Sequence, residues 1–261
     1  MNSGIPAGNI FAAVKRYLYR YFALATLFIA CGKNENADIK DPGTNPSTPT
    51  NPAPSKADSA TIVIIGSSTA AGMGASPSDS SWVNRLILST KNNKRILTYY
   101  NLGIIGLTTY QGIPKNFTKP GRPATDTLHN ITAALSFHPS LVIMSYPTND
   151  VAYDYTDDEI MDNFNEMIRL LDSAKVKYIV FGTQPRNFPD VAYRTRLKTL
   201  NVKMQAAFGG HFSNVYDTLA AEDGTIRAAV AYGDGVHVNN TGHDIIYHKI
   251  ADHAVFQEVI K

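Results

Sequence analysis

Residues 61–72 read Thr-Ile-Val-Ile-Ile-Gly-Ser-Ser-Thr-Ala-Ala-Gly, a run of β-branched side chains that gives way to a turn of small residues. Five such residues in a row are too few for a helix and suit a pleated surface. They predict a strand over 61–65 covered on both faces. Comparable runs follow at 96–100 (ILTYY), 141–145 (LVIMS) and 178–181 (YIVF), with a shorter one around Val215 and Tyr216. Between them lie longer stretches of helical period, predicting helices at about 81–90, 125–136, 157–174, 192–207 and 242–259. The third is marked most clearly. Thr156 and Glu159 form a capping box, and Ile160, Phe164, Met167, Ile168 and Leu171 make one apolar stripe. Alternating strands and helices specify a three-layer α/β/α sandwich around a mainly parallel five-stranded sheet, in which ligands bind beyond the carboxyl ends of the strands.

Outward from this domain, the chain begins differently. Lys15, Arg16 and Arg20 precede the apolar run 21–30 (YFALATLFIA), and no acid occurs before residue 31. A basic segment, about ten apolar residues and a small residue constitute a secretory signal. At about 1.5 Å per residue the run spans half of a ~30 Å hydrocarbon core, which argues against a transmembrane helix. The single cysteine, Cys31, follows at once, and Phe28-Ile29-Ala30-Cys31-Gly32 resembles a bacterial lipobox, in which the thiol accepts lipid. With one cysteine no intrachain disulfide can form. The stretch 34–59, rich in Pro, Thr, Ser, Asn and Asp, has too little apolar surface to offset ordering and is expected to be an extended tether. The expected organisation is a signal peptide at 1–30, a lipidated tether at 31–59 and a folded domain at 60–261, exported and held at the cell envelope. The 261 residues carry 24 Lys and Arg against 22 Asp and Glu. That balance lacks the basic excess of a nucleic-acid-binding protein.

The polar residues after each strand are the candidates for chemistry. Ser68 stands in the turn after the first strand, where backbone N–H groups are free to donate to an anion. The same small-residue turn also fits a phosphate cradle or an ordinary polar loop, although no GxxxxGK[ST] sequence is present. After the second strand come Gly103 and Gly106, either able to aim a backbone N–H into a cleft. After the third come Asn149, whose amide can face the same cleft, and Asp150, which lacks partners at metal-ligand spacing; no metal or cofactor is implied. Before the last predicted helix, Asp234 and His237 are spaced so that a carboxylate accepts from one imidazole nitrogen while the other faces the cleft. The other histidines are assigned to surface or packing.

Together these segments resemble the SGNH (GDSL-like) hydrolases over residues 61 to about 255. IIGSSTAAGMGA is similar to the family's GDS block, NLGIIGLTT to its NxGxxG block, PTND to its GxND block and DGVHVNNTGH to its DxxH block. Ser67 stands where the family has Asp, and Pro147 where it has Gly. The resemblance implies a flavodoxin-like fold and a serine esterase without cofactor. It assigns Ser68 as nucleophile, Asp234 and His237 as the rest of a triad, and Ser68, Gly106 and Asn149 as oxyanion donors, with Gly103 the alternative to Gly106. The expected substrate is an ester, first an O-acetyl group on an extracytoplasmic glycan, with a lipid or aryl ester as alternative. A glycan-binding lipoprotein without turnover is the reading from another class, and a nucleotide-binding domain a third. Arg186 and Phe188, in the loop 183–193, are expected to line the cleft.

Overall fold

The run of branched residues becomes the centre of the sheet in the computed structural model, which describes residues 58–117 and 119–261. The predicted signal segment, Cys31 and all but the last two residues of the predicted tether lie outside the described residues. Strand β1 (Ser59–Gly66) lies between β2 (Ile96–Gly103) and β3 (Leu141–Ser145), followed outward by β4 (Lys177–Phe181) and β5 (Phe212–Ser213). The order is β2-β1-β3-β4-β5 and every pairing is parallel. This is the doubly wound arrangement, and its switch point falls at β1 and β3, where successive connections leave in opposite directions.

Because side chains alternate along a strand, β1 feeds two cores. Val63 and Ile65 join a core with Tyr110, Ile131, Phe164, Met167 and Leu197, while Ile62 and Ile64 join Trp82, Leu86, Phe181, Ile246 and Phe256 on the opposite face. All four strand residues are fully buried, each contributing roughly 1.5–3 kcal/mol by removal from water. The first core is roofed by α2 (Thr109–Gly112), α3 (Ile131–Ser136), α4 (Thr148–Ala152), α5 (Asp157–Ser173) and α6 (Val191–Phe208). The second is covered by α1 (Trp82–Ser89), α7 (Tyr216–Leu219), α8 (Asn240–Ala251) and α9 (Ala254–Ile260). The predicted capping box closes α5, with Thr156 N–H donating to Glu159 Oε2 (2.8 Å) and Glu159 N–H to Thr156 Oγ1 (3.2 Å).

Four expectations are corrected. β2 is an edge strand whose residues alternate between exposed and half-buried along much of its length, so its aromatic run was no sign of cover on both faces. The fifth strand is at Phe212–Ser213; Val215 has helical dihedrals and precedes α7, its side chain buried in the same core as Ile62, Ile143 and Phe181 of the sheet. The helix expected over 125–136 begins at Ile131, where Asn130 caps it by accepting from Ala133 N–H (2.9 Å). The last predicted helix is two, because His253 adopts an extended conformation and its Nδ1 accepts from Val255 N–H, starting α9.

Candidate active site

The turn after β1 leaves the sheet at the switch point. Ser67 N–H donates to Ser145 O at the end of β3 (3.0 Å), and the chain then curls as Ala71 N–H bonds Ser67 O (3.0 Å) and Met73 N–H bonds Ser68 O (2.9 Å). Ser68 is thereby held at the carboxyl edge of β1, 7% exposed, and its own N–H meets no acceptor among the described residues.

His237 Nε2 lies 2.9 Å from Ser68 Oγ, and its Nδ1 lies 2.6 Å from Asp234 Oδ2. A carboxylate at Nδ1 fixes the proton there, leaving the Nε2 lone pair to accept from the serine hydroxyl. The other oxygen of Asp234 accepts the N–H groups of Val236 (2.9 Å) and His237 (2.8 Å), the local turn that the Asp-x-x-His spacing creates. Partial burial opposes the Asp234 charge, but the hydrogen bonds from His237 and Val236 outweigh it and hold the carboxyl down at about 2. The loop is braced on both sides. Tyr232 N–H donates to His237 O (3.0 Å), Asn187 N–H donates to Gly235 O (2.8 Å), and Asn239 caps α8 immediately after.

The two candidate glycines separate clearly. Gly103 N–H is taken by Asn101 Oδ1 (3.0 Å), and a Cβ at Gly103 would lie 2.6 Å from Ala70 Cβ and 2.7 Å from Ala71 N. Its lack of a side chain lets β2 approach the Ser68 turn, to which Asn101 also donates at Ala70 O (2.7 Å). Gly106 has φ +84°, open space around its Cβ position and no acceptor for its N–H among the described residues. Asn149, half-buried at the start of α4, donates one Nδ2 hydrogen to Leu107 O (3.0 Å), tying itself to the loop that carries Gly106 and keeping a second hydrogen.

The next residue makes the tie firmer. Asp150, fully buried, accepts Thr109 N–H (3.0 and 3.1 Å to its two oxygens) and Thr109 Oγ1–H (2.5 Å), while Asn163 supports Thr109 Oγ1 from α5 (2.9 Å). Burial pushes the Asp150 carboxyl up to about 7 despite these donors. Adjacent residues of α4 thus hold both ends of the short loop between Gly106 and α2. Among the described residues no group of three or more His, Cys, Asp or Glu is gathered around a metal-sized space.

Several supporting residues escaped the sequence reading. Thr69, beside the nucleophile candidate, donates to Gln184 Oε1 (2.5 Å), and Gln184 N–H donates to Thr148 Oγ1 beside Asn149 (2.9 Å), so one residue after β4 spans both segments. Gln184 Nε2 is buried without a partner among the described residues. Trp82 Nε1–H donates to Thr69 O (2.9 Å). His243, assigned to surface or packing, is fully buried; its Nε2–H donates to Met73 O (2.9 Å), and burial lowers its pKa. Only the polar type of these residues was visible in the sequence, since their partners lie far along the chain. Arg186 places its guanidinium 4.9 Å from the Phe188 ring centroid, and Phe188 itself leans on the core against Tyr193. Among the described residues neither makes a hydrogen bond or ring contact with Ser68; they are joined to the site through Asn187 N–H, which donates to Gly235 O.

The sequence model of the GDSL-like lipase/acylhydrolase family matches residues 64–245. Among solved structures the chain is similar to a GDSL-like lipase from Bacteroides thetaiotaomicron, with TM-score 0.57 and 21% identity over 78% of this chain and 91% of that one. It is similar to the psychrotrophic esterase EstA from Pseudoalteromonas sp., inhibited by monoethylphosphonate, with TM-score 0.55 and 17% identity over 74% of this chain and 95% of that one. It is also similar to a two-domain esterase active on acetylated mannans, with TM-score 0.54 and 17% identity over 78% of this chain and 50% of that one. At such identities these likenesses speak for the fold. No curated protein matches the sequence. The family match spans the strand-end segments that bring Ser68, Asn149, Asp234 and His237 to one rim, and this chain belongs to the GDSL-like lipase/acylhydrolase family of ester-hydrolysing serine hydrolases.

Proposed function

We propose that the chain removes O-acetyl groups from extracytoplasmic glycans through an acyl-enzyme on Ser68. His237 Nε2 takes the Ser68 proton as Oγ attacks the ester carbonyl, and Asp234 stabilises the imidazolium that forms. The tetrahedral oxyanion is held by the N–H groups of Ser68 and Gly106 and by the second Nδ2 hydrogen of Asn149. His237 then returns the proton to the departing alkoxide, and a water activated by the same imidazole releases acetate. The observation that carries the reading is the continuous path Ser68 Oγ, His237 Nε2, His237 Nδ1, Asp234 Oδ2, with separations of 2.9 and 2.6 Å across its hydrogen bonds. The unengaged N–H of Gly106, against the occupied one of Gly103, favours Gly106 as donor.

The glycan assignment is supported by the expected export of the chain and by the likeness to an esterase active on acetylated mannans. A signal segment at 1–30, lipidation of Cys31 and the tether at 31–59 place the enzyme at the cell envelope in this proposal, with Arg186 and Phe188 at the cleft mouth. One observation favours a second reading, hydrolysis of lipid or aryl esters: Ile104 and Ile105, on the loop carrying Gly106, are exposed, at 38% and 59%. Acetate release from acetylated polysaccharides, measured beside p-nitrophenyl esters of increasing acyl length, separates the two. A preference rising with chain length and no acetate from glycans would overturn the deacetylase reading. Labelling with a palmitate analogue that persists in Cys31→Ala would overturn the anchor.

A further inference from the structure

The oxyanion side and the leaving-group side of this cleft are built from different faces of the sheet. Gly106 and Asn149 come from the α2 and α4 side, whereas His237 precedes α8 on the other. His237 Nε2 must protonate the departing alkoxide, so the alcohol half of the ester has its oxygen within roughly 3 Å of that nitrogen. What flanks His237 therefore meets the alcohol and not the acyl group.

Tyr232 occupies that flank. Its N–H donates to His237 O (3.0 Å), and the neighbouring Ala231 pairs with Val238 in a β-bridge, which fixes the backbone on both sides of the imidazole. The Tyr232 Cβ lies 3.4 Å from the Cβ position of Gly74, in the loop that leaves Ser68, so Tyr232 stands where the nucleophile loop and the histidine loop meet. Tyr232 is nonetheless 54% exposed, and its hydroxyl makes no hydrogen bond among the described residues. A large aromatic surface on a fixed backbone loses little freedom on binding and offers a flat apolar face with a polar edge. A pyranose has the matching character, C–H groups on one face and hydroxyls around the rim.

We propose that Tyr232 is a specificity-determining residue, the platform on which the sugar ring bearing the ester stacks as the alcohol half of the substrate. This rests on the glycan deacetylase reading, and the two fail differently. The test compares the full chain with Tyr232→Ala, Tyr232→Phe and Tyr232→Trp on acetylated manno-oligosaccharides, ethyl acetate and p-nitrophenyl acetate. In Tyr232→Ala the kcat/KM for oligosaccharide is expected to fall about tenfold relative to that for ethyl acetate, chiefly through KM, with Phe and Trp retaining the ratio. An unmoved ratio, or a loss in Phe and Trp equal to that in Ala, overturns the platform. So does an equal fall on both substrates, which would mean that Tyr232 merely holds the His237 loop. A wild-type chain that cleaves ethyl acetate but frees no acetate from oligosaccharide overturns the glycan reading instead. The ratio of p-nitrophenyl acetate to ethyl acetate then decides the subsite, since an aryl alcohol stacks on the same face: a fall in Tyr232→Ala retains an aromatic platform, and no change removes it.

Discussion

His237 meets Ser68 across 169 residues of chain, Nε2 to Oγ at 2.9 Å, at the carboxyl edge of the central strand. Their encounter is secured by bonds that neither residue makes itself: Trp82 and His243 hold the serine turn, and Tyr232 and Asn187 hold the histidine loop.

Ser68→Ala is expected to abolish ester turnover and covalent labelling by an alkyl phosphonate, with the far-ultraviolet dichroism of the native chain. Ser67→Ala is expected to retain both, because the side chain of Ser67 makes no hydrogen bond among the described residues. Intact-mass spectrometry after phosphonate treatment distinguishes the two serines, and a labelled Ser68→Ala would displace the nucleophile.

Asp234→Asn removes the acceptor that keeps the proton of His237 on Nδ1, presenting the wrong tautomer to Ser68. By analogy with other serine triads, kcat is expected to fall by about 10⁴ while KM changes little. Steady-state kinetics on a short-chain ester give the answer. A loss of less than about tenfold would mean that the carboxylate contributes only to the loop turn it makes with Val236 and His237.

Asn149→Ala removes one proposed oxyanion donor, for which a loss of roughly 10²–10³ in kcat is expected. The Leu107 carbonyl also loses its donor, so a small fall in melting temperature accompanies it. Near-normal turnover in a folded variant would take Asn149 out of the reaction.

Burial lifts the Asp150 carboxyl to about 7, above the value of about 3.9 for the unfolded chain. The folded protein then keeps a proton that the unfolded chain releases, so this group's stabilising contribution is complete below about pH 4 and is progressively lost as pH rises to about 7. Asp150→Asn abolishes that titration. Thermal melts from pH 4 to 8 should show a steeper decline in the wild type than in the variant, and parallel slopes would place the carboxyl's titration elsewhere.

Much of this was legible along the chain because it depends on local spacing. The strands at the centre of the sheet were evident where β-branched residues run together, as in β1, β3 and β4, and the capping box of α5 needs only Thr156 and Glu159. The Asp234 turn is equally local, the carboxylate bonding amides two and three residues on. Misreadings arose where a local pattern served another surface. The aromatic run of β2 lies at a sheet edge, Val215 and Tyr216 are buried at the start of a short helix, and the helical period of 242–259 continues through the break at His253.

By itself, the sequence determined the layered fold and the residue types at each strand end, because strand burial, helix period and turn chemistry are written in neighbours a few positions apart. It left open which glycine keeps a free N–H, since that depends on Asn101 reaching back to Gly103 from an edge strand. It also left unmarked Gln184, His243 and Asp150 as braces of the rim. Their hydrogen bonds join segments separated by 115, 170 and 41 residues, and only packing against the sheet brings such partners within the 3 Å over which a hydrogen bond acts.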